Sequence, residues 1–71
     1  MKEYNPAMFA ERLRELREAR NWTQRQLADK IGCRPSTVNN WEHDFPNITI
    51  ANLVRVADAL GVSLEELAGR A

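Results

Sequence analysis

The chain holds a single cysteine and a single histidine in 71 residues. One Cys excludes an internal disulfide. One His and one Cys cannot furnish the ligand set of a metal site, nor can a lone His serve a nucleophile, base and orienter constellation. The three glycines form no phosphate-cradling loop. The sequence therefore predicts no enzyme, no metal and no cofactor. It has no apolar run long enough to span a membrane and no signal peptide, so a cytoplasmic location and no membrane partner are expected. Net charge is also missing: ten Lys and Arg balance ten Asp and Glu. With 44% hydrophobic and 28% charged residues, the composition is that of an ordinary folded protein. No repeat, low-complexity segment or internal linker is visible. One small domain over residues 1–71 is expected, with a loose tail at 1–5 and another at 69–71.

What is present centres on Thr23 to Glu42, TQRQLADKIGCRPSTVNNWE. Thr23 is a good N-cap, and Gln26 completes a capping box. Trp22 before the cap and Leu27 after it have hydrophobic-staple spacing. Leu27, Ala28 and Ile31 share one helical face. Gly32 suits a left-handed helix end, and Pro35 suits the first position of a new helix. Two helices joined by a three-residue turn with a Gly make a helix-turn-helix. In the second helix Val38 and Trp41 should face the core, while Ser36, Asn39, Asn40 and His43 spread over the other side. That side is short and uncharged. It reads either as a plain solvated face or as a surface for base-pair edges, since Asn can pair with adenine and Ser can donate or accept.

Asn5-Pro6 predicts a first helix running to about Arg20, with Phe9, Leu13, Leu16 and Arg20 on one stripe. Its other charges are read as a solvated face. After Glu42, Pro46 marks a loop. Thr49 is the expected N-cap of a fourth helix whose apolar face is Ile50, Leu53, Val54, Ala57 and Leu60, with Val56 at its edge. Gly61 should stop it. Ser63 and Glu66 form a second capping box for a last short helix. The apolar spacing is helical almost throughout, which predicts an all-α fold. Charge is split: residues 1–40 carry eight Lys and Arg against five acids, and residues 41–71 carry two against five. The positive half contains the helix-turn-helix and can supply a phosphate-facing side.

The segments TQRQLADKIG, STVNNWE and NLVRVADALGVSLEELAG resemble the helix-turn-helix domain of the phage-repressor and Cro family, over about Phe9 to Gly69. The resemblance implies a five-helix, lambda-repressor-like bundle that binds operator DNA, usually as a dimer, with the third helix in the major groove. Carried over, Arg34, Pro35, Ser36, Asn39 and Asn40 fall at base-facing positions. Arg17, Gln24, Asn47 and Thr49 fall at phosphate-facing ones. Arg17 and Glu42 match a pair that joins the first and third helices. The alternative for Glu42 is a surface acid. Three departures stand out: Arg34 where Ser or Thr is common, Pro35 at a base-contacting position, and Asp44 where Gly is common.

The expected function is a DNA-binding transcriptional regulator, a repressor that meets an inverted repeat of double-stranded DNA as a homodimer. The alternative is a protein-interaction module on the same fold, an antitoxin or adaptor with a protein partner. Val62, Leu64, Leu67 and Ala68 either cover the core or form a dimer interface. Cys33 reads as a small packing residue in the turn, against a redox-sensing thiol. His43 reads as a surface residue or a minor DNA contact.

Overall fold

A computed structural model describes residues 6–43 and 48–67. Those residues form five helices and no strand: α1 (Pro6–Glu18), α2 (Gln24–Ile31), α3 (Pro35–His43), α4 (Ile50–Leu60) and α5 (Leu64–Leu67). The expected N-cap Asn5, Asp44, Asn47, Ala68 and Gly69 lie outside the described residues. No described helix is long and apolar enough to cross a membrane.

Local signals set most boundaries. Thr23 accepts from the Gln26 backbone N–H at 3.0 Å and its own N–H donates to the Gln26 side chain at 2.8 Å. Thr49 accepts from the Asn52 N–H at 3.1 Å, and Ser63 from the Glu66 N–H at 3.0 Å. Each satisfies a first-turn donor that the helix itself leaves unpaired. Gly32 closes α2 at φ 86°, with its N–H on the Ala28 carbonyl, and Gly61 closes α4 at φ 70°. The first helix stops at Glu18, two residues before the expected Arg20. Asn21 takes a left-handed φ of 59° there, a conformation Asn tolerates better than most residues. Its N–H donates to the Glu18 carbonyl at 2.9 Å.

Phe9, Leu13, Leu27, Ala28, Val38, Trp41, Val56, Leu60 and Leu67 meet in one core. α3 packs against both α1 and α2, while α4 lies against α2 and α5. The face expected for α4 needs correction. Ile50 is 78% exposed and Val54 40% exposed, whereas Val56 is fully buried. Val54 and Val56 are two residues apart, about 200° around a helix, so one core cannot take both. The tighter arc of Leu53, Val56, Ala57 and Leu60 is the one that packs. In α5, Leu67 is fully buried within the chain. It therefore belongs to the core and is withdrawn from the dimer face, while Leu64 stays 41% exposed and Val62 is half-buried.

Candidate nucleic-acid interface

α3 is held from its inner side. Val38, Trp41 and Glu42 are buried, and Arg34, Pro35, Ser36, Asn39 and Asn40 are exposed. The periodicity of a nine-residue helix does this: one stripe enters the core and the other is left outside. The Arg34 carbonyl accepts from Thr37 at 3.0 Å, so the chain enters the helix without a side-chain cap. Arg34, Ser36 and Asn40 have no side-chain partner among the described residues. His43 is anchored back on its own helix, with Nδ1 2.9 Å from the Asn39 carbonyl oxygen.

Glu42 sits at the centre of a polar cluster. Arg17 reaches across from α1, with Nε 2.7 Å from Oε2 and Nη2 3.0 Å from Oε1, and its Nη1 donates to the Trp22 carbonyl at 2.7 Å. The Glu42 side chain is 0% exposed and that of Arg17 is 11% exposed. Hydrogen bonding to Glu42 raises the Arg17 pKa, opposed by burial. Such a pair fixes the angle between helices more than it adds stability. All three guanidinium nitrogens are occupied inside the chain. Arg17 is thus a brace between α1 and α3, as the expected pair with Glu42 requires, and two of its five N–H groups remain for a phosphate.

Gln24 is tied into the same cluster. Its Nε2 lies 3.2 Å from Glu42 Oε1 and 3.2 Å from Asn39 Oδ1. Both amide hydrogens are therefore used. A phosphate at this end of α2 would meet the first-turn backbone N–H groups and the positive helix end rather than the Gln24 side chain. Thr49 is exposed, and its hydroxyl oxygen accepts from Asn52, which leaves its hydrogen free to donate. Asn47 lies outside the described residues.

Two arginines whose bonds the sequence does not announce brace the motif: Arg20, expected only on the inner stripe of α1, and Arg55. Arg55 of α4 donates to the Ile31 carbonyl at 2.6 Å, capping the end of α2. A Cβ built on Gly32 would come within 3.1 Å of the same Arg55 nitrogen. Arg20 donates to the Leu16 carbonyl at 2.7 Å and also to the Leu60 carbonyl at the end of α4. Each spends its charge on carbonyls that a helix end leaves unpaired. No short-range pattern marks the bonds to Ile31 and Leu60, whose carbonyls lie 24 and 40 residues from their arginines. Trp22 packs on the core with Lys30 Nζ 4.6 Å from its ring centroid. Among the described residues, no three His, Cys, Asp or Glu side chains gather as a metal site.

A helix-turn-helix family model matches residues 13–67. Over 60 residues the chain is 45% identical to the cryptic phage CTXphi transcriptional repressor RstR of Vibrio cholerae, covering 84% of this chain and 54% of that protein. It is 32% identical over 61 residues to antitoxin HipB of Escherichia coli K12, covering 86% of this chain and 69% of that one. The chain thus spans about half the length of the first relative. Among solved structures, it superposes on the restriction-modification controller protein C.AhdI from Aeromonas hydrophila with a TM-score of 0.82 and 35% identity, covering 87% of this chain and 94% of that one. Hydroxypropylphosphonic acid epoxidase from S. wedmorenis also matches, at TM-score 0.82 and 33% identity, over 93% of this chain but only 35% of the epoxidase. The likeness there is to one part of a longer chain.

Proposed function

This chain belongs to the helix-turn-helix family, and from that premise we propose that it is a sequence-specific transcriptional regulator, a repressor that binds an inverted-repeat operator as a homodimer. α3 enters the major groove, and Arg34, Pro35, Ser36, Asn39 and Asn40 meet base edges, the Arg34 guanidinium also neutralising the phosphate beside it. The start of α2 and Thr49 meet phosphates. The observation that carries this reading is the split of α3: its inner stripe is locked into the core and braced by Arg17, and its outer stripe is exposed and uncharged after Arg34. Two copies place their third helices roughly 34 Å apart, one turn of DNA. Exposed Leu64 and half-buried Val62 supply the apolar part of the dimer face.

Selection of bound duplexes from a random pool tests the reading. An enriched inverted repeat with half-sites one turn apart is expected, and no enrichment at low salt overturns it. Asn40→Ala is expected to weaken binding to that operator about tenfold while leaving binding to random duplex unchanged. Equal losses on both duplexes would remove Asn40 from the base-reading set.

A second reading is a module that binds a protein partner, as an antitoxin does. It draws on the similarity to HipB and on the exposed Ile50, Val54 and Leu64. A stoichiometric protein partner together with no DNA binding at low salt would favour it. The two roles are compatible in one chain. A cytoplasmic location goes with either.

A further inference from the structure

The Gln24–Glu42 contact has a direction, and that direction reaches the DNA-facing side. A carboxylate only accepts hydrogen bonds. The Gln24 atom 3.2 Å from Glu42 Oε1 must therefore be the amide nitrogen, and the same oxygen accepts from Arg17 Nη2 at 3.0 Å. The nitrogen has two hydrogens. One goes to Glu42, and the other points at the side-chain amide of Asn39, 3.2 Å away. The Asn39 atom that faces it must be an acceptor, so it is Oδ1. The opposite corner of the same planar amide is then Nδ2, which has no partner among the described residues. Asn40, one residue on, has neither end of its amide held.

The geometry points to Asn39 as a specificity-determining residue whose orientation is set from within the protein. Glu42, through Gln24, turns its oxygen inward and leaves a donor facing the groove. This deepens the regulator reading and rests on it. Asn39 then reads acceptors rather than making the two-way pair with adenine that a free Asn makes. Guanine meets it with two acceptors, O6 and N7, against one each on adenine (N7) and thymine (O4), so guanine is favoured. Cytosine presents only its N4 donor and is rejected. The free amide of Asn40 keeps the adenine option. Adjacent asparagines on one helix thus read different edges.

The test replaces the outward donor by an acceptor without changing shape. Asn39→Asp keeps an oxygen towards Gln24 and puts a second oxygen where Nδ2 was. Pool selection on the parent and on this variant is expected to differ at one position per half-site. The parent enriches guanine there and the variant cytosine, by roughly tenfold each way. An unchanged base at every position, or a parent that already favours cytosine at the altered one, overturns the proposal.

A measurement on the free protein separates the lock from the DNA reading. In the side-chain amide spectrum, the Gln24 NH2 hydrogens should exchange slowly with water and those of Asn39 at the rate of a solvated amide. An enriched operator with the reverse exchange pattern overturns the lock alone. The expected pattern with no enriched sequence overturns the regulator reading, and the readout by Asn39 falls with it.

Discussion

Among the described residues, Glu42 is the only charged side chain that the core encloses. A buried carboxylate is tolerated because every lone pair that matters has a donor: two from Arg17 and one from Gln24. Removing one partner leaves the other charge stranded. Glu42→Ala is therefore expected to cost about 3 kcal/mol or more in urea unfolding, well above the loss from a surface acid. Replacing both ends, Arg17→Met with Glu42→Leu, should recover much of that loss while relaxing the angle of α3. A double-mutant cycle reads the difference, and additive losses would mean that the two residues do not act as a pair. Cys33 poses the opposite case. Burial raises its pKa, with Arg55 pulling the other way. Folding thus favours the protonated thiol. Its contribution is complete below the ordinary thiol pKa and is lost as the pH rises through that value towards the folded one. Stability of the parent should fall in that alkaline window more than that of Cys33→Ala, and alkylation at pH about 8 should be slower in the folded chain than in denaturant. Equal alkylation rates would show that the thiol is not protected.

Elements here are begun and ended by contacts three or four residues long, and joined by contacts that are not. The Thr23 and Ser63 boxes, the Thr49 cap and the glycine ends were legible because residue types at fixed short offsets carry their whole mechanism. The stripe on α3 was legible for the same reason. The Arg17–Glu42 brace was available through family resemblance, since nothing local couples positions 25 apart. Arg20 was legible only as a member of the first helix's inner stripe, and Arg55 not at all. Their partners are backbone carbonyls, which every residue has, so no residue type announces them. The breadth of α4's apolar face misled for a related reason: periodicity gives a direction but not how wide an arc the neighbours cover. These distinctions bear on the two glycines. Both stand at positive φ, where a Cβ costs about 1 kcal/mol. At Gly61 a Cβ would meet nothing within 4 Å, whereas at Gly32 it would crowd the Arg55 nitrogen that caps α2. Gly32→Ala should therefore lower stability more than Gly61→Ala, and it alone should weaken DNA binding by shifting the turn before α3. Equal losses in thermal unfolding would mean that Arg55 yields without cost.

At the scale of the whole molecule the question is how a neutral chain holds a polyanion. The positive surplus of the first forty residues includes Arg17 and Arg20, whose charges are spent on α3 and on the end of α4. Arg55, in the acidic half, is spent on α2. Among the described residues of the helix-turn-helix, the cations left exposed without a partner are Arg25 and Arg34, one on α2 and one at the entry to α3. Two such contacts per copy release few counterions, so under the proposed homodimer reading the affinity comes from pairing two copies on one operator. A plot of log affinity against log salt for the dimer should therefore have a slope near about −4, shallow for an operator complex. Arg25→Ala and Arg34→Ala should each flatten it by about 2, because each removes two contacts from the dimer. Arg20→Met should lower the unfolding midpoint and leave the slope alone. A slope flattened by Arg20→Met would mean that this guanidinium leaves the α4 carbonyl for a phosphate when DNA arrives. The braces would then be part of the binding surface rather than its support.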